Sequence, residues 1–183
     1  QGKLKNKILI IDMQPNLFPS DEITSVRPAF AKQRLAAVPC TYVLTVSEFF
    51  PKGHIKEGQE TQFVNLIQSM NKIHTIRGNY ELWAKRAEKI NRGEAVLSVR
   101  CWTGKPYNSK QREVLVFEKI GVEKLEFDKL LGWFINDIDS DYTLKDFAKN
   151  DGLSADDFKS WFKGQDFTKP KAIIHFSEFR YCR

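Results

Sequence analysis

No run of apolar residues in this chain approaches the length of a membrane span. The longest near the start, Ile8-Leu9-Ile10-Ile11, is too short even for the core of a signal peptide, so neither a spanning helix nor a secretory leader is expected. Cysteine is scarce. Cys40, Cys101 and Cys182 are odd in number, far apart and without a C-x-x-C pair, which speaks against a disulfide framework and against a zinc ribbon. The three histidines, His54, His74 and His175, show no metal-ligand spacing, and no metal or other cofactor is expected. A chain so poor in cysteine fits a reducing, cytoplasmic location. Internal repeats and low-complexity segments are also missing.

What is present reads as a folded domain. With 183 residues, 42% of them hydrophobic and 28% charged, the chain can bury a core of its own and lacks the composition of a disordered protein. Fourteen Phe and four Trp place rings in that core or on a binding surface. The net charge of +6 is unevenly spread. Lys72, Arg77, Lys85, Arg86, Lys89, Arg92, Arg100, Lys105, Lys110 and Arg112 are opposed within their stretch only by Glu81, Glu88 and Glu94. From Asp137 to Asp157 the sign reverses. A concentrated basic stretch suits a polyanion such as a phosphate backbone; a solvated helix face is the plainer alternative.

Patterning divides the chain into an arm and a domain. Gln1-Gly2 has the look of a remnant left by tag removal. Residues 1–41 form an N-terminal arm with a short apolar strand candidate, Lys7–Ile11, and a possible short helix over 29–37. From residue 42 to 183 the elements come densely. Alternation predicts strands near 42–48, 95–102, 112–122 and 172–179 in one curved sheet. Phe63, Leu66, Ile67 and Met70 make one face of a helix over 61–70. Asn79 is a credible N-cap for a helix whose buried stripe is Tyr80, Trp83, Ala87 and Ile90, and Gly93 stops it. Two short helices follow, near 143–151 and from Ser154, with Gly152 between them. This order is not a regular βαβ alternation. It predicts an α+β fold, a mostly antiparallel curved sheet or barrel with inserted helices.

Two motifs carry chemistry. Ile10-Ile11-Asp12-Met13-Gln14 resembles the opening of isochorismatase-like hydrolases, but their parallel sheet with crossover helices has no counterpart later in the chain, and an edge strand with a turn accounts for the segment. The second motif is Lys72-Ile73-His74-Thr75-Ile76-Arg77. On a plain strand Lys72 and Thr75 would face opposite ways, so their convergence requires Lys72 in the turn before the strand, or a bulge. A buried amine can serve as a base or proton shuttle near neutral pH. A Thr hydroxyl beside it could be a nucleophile or a donor to a carbonyl, and a carboxylate would complete proton transfer to a leaving amine. The plain alternative is two exposed cations flanking an ordinary strand.

The motif resembles that of ASCH domains in the PUA-like superfamily, most closely the small bacterial amidohydrolases that deacetylate N4-acetylcytidine. Their pattern is G-R-K-T-x-T-x-R; this chain keeps Lys72, Thr75 and Arg77, with Met70-Asn71 for Gly-Arg and Ile73 for the first Thr. The likeness continues through Asn91–Leu97, through Phe147–Ser154, where Asp151 falls at the family's catalytic Glu, and through Ala172–Phe179. It spans roughly 42–180 with an inserted helix over 80–92. The resemblance implies a PUA-like barrel and an RNA or nucleoside ligand. It implies catalytic roles for Lys72, Thr75 and Asp151, with Arg77 lining the cleft. Asp in place of Glu shortens the reach by one methylene, which bears on catalysis more than on binding.

Around the inserted helix, cations and rings interleave. Lys85, Lys89, Arg92, Arg100 and Lys105 could neutralise phosphates, and Trp102 and Tyr107 could stack on bases. Three functions therefore compete: binding of RNA or a modified nucleoside, amide hydrolysis on an acylated nucleobase, and a protein-interaction module with a vestigial pocket.

Overall fold

The computed structural model describes residues 39–104 and 106–182. The Lys7–Ile11 strand candidate, the Asp12 segment, the 29–37 helix and Lys105 lie outside the described residues. The domain runs β1 (Cys40–Val46), α1 (Phe63–Gln68), β2 (His74–Gly78), α2 (Tyr80–Asn91), β3 (Ala95–Trp102), β4 (Gln111–Phe117), β5 (Gly121–Asp128), β6 (Gly132–Ile135), β7 (Ile138–Asp139), α3 (Leu144–Asn150), α4 (Ala155–Trp161) and β8 (Lys171–His175). No helix among the described residues is long and apolar enough to cross a membrane.

The fold is α+β, and its strands form two sheets rather than the single one expected. The first has the order β1-β3-β4, with β1 parallel to β3 and β4 antiparallel to it. The second has the order β2-β8-β5-β6-β7 and is antiparallel throughout. The stretch expected as one strand over 112–122 is in fact divided between them. β4 ends at Phe117, the chain crosses over, and β5 begins at Gly121. Asn91 at the end of α2 latches this crossing, accepting from Ile120 N (3.0 Å) and donating to Ile120 O (2.9 Å). The last strand, β8, sits inside the second sheet between β2 and β5.

Local chemistry explains the helices. Asn79 caps α2 by accepting from Leu82 N at 3.2 Å, and Trp83, Ala87 and Ile90 are its buried stripe. Thr143 and Asp146 form a capping box at the start of α3, and Ser154 Oγ accepts from Asp157 N at the start of α4. The core gathers the inward residues of both sheets, such as Leu97, Val99, Leu125, Ile173 and Ile174, against Ile67, Ile90 and Phe147 from the helices. Burying one such aliphatic side chain is worth about 1.5–3 kcal/mol.

Candidate functional site

The turn after α1 sets the position of Lys72. α1 ends at Gln68, and Met70 takes a left-handed backbone (φ 57°) that folds the chain back, with Asn71 N and Lys72 N both donating to Leu66 O at 2.8 and 2.9 Å. Lys72 thus precedes β2, in the turn that convergence with Thr75 requires. Ile73 N then donates to Asn150 O at 3.0 Å, which seats this turn against the end of α3. Asp151 is the C-cap of α3, and Gly152 follows with φ 70°. A Cβ on Gly152 would come within 3.2 Å of Lys72 Cβ, so both the conformation and the room favour glycine there.

These turns bring the amine and the carboxylate together. Lys72 Nζ donates to Asp151 Oδ1 in a short contact and to the Asp151 carbonyl at 2.6 Å. The second bond satisfies a terminal carbonyl of α3 with a cation, the sign that the helix C-terminus favours. Lys72 Nζ also lies 4.2 Å from the centre of the Phe63 ring. Lys72, Thr75 and Asp151 are all buried, at 1%, 2% and 2% exposure. Lys72 is therefore not an exposed cation flanking a strand. Burial lowers the Lys72 amine from its ordinary range, against the upward pull of Asp151. Burial likewise raises the Asp151 carboxyl, and Lys72, Arg77 and the Thr75 hydroxyl oppose that rise.

Thr75 and Arg77 share a face of β2. Arg77 Nη1 donates to Thr75 Oγ1 (3.0 Å) and to Ile76 O (2.9 Å). Arg77 Nη2 reaches across to Thr45 O in β1 at 2.8 Å and so bridges the edges of the two sheets. Arg77 also lines a cavity of about 160 Å³ together with Ile76, Gly78, Trp161, Phe162, Gln165 and Lys171. Lys72, Thr75 and Asp151 are not among its lining. Two chains of contact connect them to it: through Arg77 to Thr75, and through Trp161, whose ring meets Phe63 at 5.3 Å, to the Lys72 amine.

The sequence motif did not single out the groups on the far side of Asp151. His74 Nδ1 stands 3.9 Å from Asp151 Oδ1. His74 Nε2 lies 2.7 Å from the Tyr181 hydroxyl, which accepts from Asn150 Nδ2 at 2.8 Å. His175 Nε2 lies 2.7 Å from Glu123 Oε2, and the Glu123 carboxylate accepts from Tyr181 N and Cys182 N at 2.9 and 2.8 Å. Asn150 is the neighbour of Asp151; no spacing rule points to Glu123 or Tyr181, which the fold alone brings in.

The basic surface is more divided than its sequence suggests. Lys85 and Lys89 are exposed on α2. Arg92 is paired with Glu94 at 2.9 Å, Arg100 lies 3.8 Å from Glu113, and Arg112 lies 3.7 Å from Glu48. Arg86 is packed over the rings of Trp83 and Tyr42. Trp102 is half-buried, and Tyr107, 89% exposed, meets its ring at 5.3 Å. Among the described residues no group of three or more His, Cys, Asp or Glu could hold a metal ion. No family model matches the chain, and neither curated proteins nor solved structures give a match.

Proposed function

We propose that this chain is an ASCH-type, PUA-like domain that binds a modified nucleoside, free or within RNA, with the base in the cavity beside Arg77. The carrying observation is the convergence of Lys72, Thr75, Asp151 and Arg77 from the turn before β2, from β2 itself and from the end of α3. These are the residues that the resemblance groups together. Met70 adds support: its left-handed backbone stands where the family pattern has Gly, the residue that takes that conformation without strain. The Arg77–Thr45 bond supports the barrel reading, since it joins the two sheets edge to edge. The cavity suits a base. Trp161 and Phe162 offer rings for stacking, while Arg77, Gln165 and Lys171 offer donors for base edges or a phosphate.

Amide hydrolysis is the second reading, favoured by the buried amine facing a carboxylate. In it, the Thr75 hydroxyl or a water adds to the acyl carbonyl, and its proton passes to Lys72 or Asp151. That proton then goes to the departing exocyclic nitrogen as the C–N bond breaks; where Thr75 is the nucleophile, a water then adds to the acyl-threonine ester, and acetate leaves as the Thr75 hydroxyl regains its proton. Lys72 is 1% exposed, so the packing around it must open for an acyl group to reach the amine.

Calorimetric titration with N4-acetylcytidine and cytidine, beside chromatography for cytidine and acetate, tests both. Binding without products supports the binder, and products support the hydrolase. No heat with either nucleoside, and none with a short RNA carrying the modification, overturns the proposal.

A further inference from the structure

The site has a second layer whose hydrogen positions can be deduced. The Tyr181 hydroxyl accepts from the Asn150 amide at 2.8 Å, and its other neighbour is His74 Nε2 at 2.7 Å. Among the described residues these are its two hydrogen-bond partners, and the arrangement that gives the hydroxyl proton an acceptor sends it to Nε2, which makes that nitrogen the acceptor. A neutral imidazole with Nε2 accepting carries its proton on Nδ1. His74 Nδ1 is buried and has no hydrogen-bond partner among the described residues, and Asp151 Oδ1 stands 3.9 Å from it. The opposite tautomer would aim an imidazole lone pair at a carboxylate oxygen and leave both without a proton between them.

We propose that His74 is a positioning residue for Asp151, held by Tyr181 and Asn150 as the Nδ1–H tautomer so that its N–H faces the carboxylate. The inference goes beyond the nucleoside reading and rests on it only for what Asp151 does. Its consequence is a two-position carboxylate. In the closed site Asp151 is engaged by Lys72. When a ligand draws the amine away, the His74 N–H is the buried donor that receives the carboxylate and keeps it from turning. The charged and titratable groups around this unit are Lys72 and Arg77 on the Asp151 side, and His175 with Glu123 behind the His74 ring. Burial, and beside it the His175 ring 5.7 Å away, disfavour a charge on His74. The neutral form that the tautomer argument needs is therefore the one this surrounding favours.

Long-range proton–nitrogen correlation NMR on the ligand-free protein reads the tautomer directly, with the His74 ring assigned through its contacts to Tyr181. The expected result is a protonated Nδ1 and an unprotonated Nε2; the reverse overturns the proposal. The positioning role has its own readout, the carbon resonance of the Asp151 carboxyl followed through a pH titration. In His74→Phe, which keeps a ring but removes the N–H, that carboxyl should titrate at higher pH, because its ionised form has lost the N–H dipole placed 3.9 Å from it. If His74→Phe does not fold, Tyr181→Phe frees the tautomer and should move the carboxyl the same way by less. An unmoved carboxyl overturns the role. Neither measurement uses a nucleoside, so failure of wild-type protein to bind N4-acetylcytidine counts against the proposed function and not against His74.

Discussion

The Lys72 ammonium and the Asp151 carboxylate meet across 79 positions of chain, with side-chain exposures of 1% and 3%. Two such groups are expensive to desolvate, and their attraction repays the cost only while both are present. Removing one strands the other. Lys72→Met and Asp151→Leu should each cost about 3–5 kcal/mol in denaturant unfolding, while the double variant should recover much of that loss. Equal and additive losses would show that the pair is not coupled. The burial also means that Lys72→Ala tests folding as well as binding, which a surface lysine would not.

The turn that delivers Lys72 makes an opposite pair of expectations. Met70 is a non-glycine residue at φ 57°, half exposed, where glycine has no steric penalty. Met70→Gly should therefore raise stability by about 0.5–1 kcal/mol, the strain relieved exceeding the added freedom of the unfolded chain. Gly152→Ala should do the reverse and by more, because φ 70° and the 3.2 Å approach to Lys72 Cβ penalise it twice. Midpoints of urea unfolding for the two variants check both signs.

Legibility in the sequence followed the range of the interaction. The helices of 79–92 and 143–161 were readable because Asn79, Gly93, Gly152 and Ser154 act on their own neighbours. The hairpin of β5 and β6 was not. Its strand pairing sets Leu125 against Ile135 and Glu126 against Phe134, and the mixed apolar run 125–134 has no clean alternation to announce it. The division into two sheets was equally hidden, since the alternation of 112–122 continues through the crossing that Asn91 secures from a distance. At the site, Lys72, Thr75 and Arg77 were legible as a short motif. His74 was in plain view within it, but its place between Tyr181 and Asp151 is set by the fold and not by the motif.

Acid should destabilise the fold through its histidines. Burial holds the folded-state pKa of both His74 and His175 below the usual histidine value, His74 well below it. A base whose folded pKa is depressed contributes nothing unfavourable while neutral. Below pH about 6.5 the unfolded chain takes up protons that the folded one refuses, so stability falls with a slope of up to about 1.4 kcal/mol per pH unit for each histidine. Glu123 extends the loss to lower pH. Burial raises its carboxyl, but His175 and the N–H groups of Tyr181 and Cys182 outweigh that and hold it low, so its contribution vanishes as pH falls through its folded pKa. Asp151, raised by burial, works in the opposite sense. Comparing wild type with His175→Gln isolates one histidine: the variant's stability should fall less steeply between pH about 6.5 and 5. Parallel curves would remove His175 from the account.

Binding of RNA should show a modest salt dependence, because several of the cations between residues 72 and 112 are already engaged. Lys72 is buried against Asp151, Arg92, Arg100 and Arg112 have acidic partners, and Arg86 lies over rings. Lys85 and Lys89 are exposed on α2 and free of any such pairing among the described residues, so they are the groups placed to meet phosphates. If both do, the double change to Ala should lower affinity for every sequence and reduce the log–log salt slope by about 1.4 for a single strand. The fold should tolerate it, since the buried stripe of α2 is Trp83, Ala87 and Ile90. Trp102→Ala should separate from this behaviour. Its ring, partnered by the exposed Tyr107, can stack on a base, so its loss should cost about 1–3 kcal/mol on unpaired RNA with the slope unchanged. Anisotropy of a labelled oligonucleotide at two salt concentrations measures both quantities. A Trp102→Ala variant that binds like wild type, with a steep slope retained by the lysine variant, would place the RNA surface elsewhere on the domain.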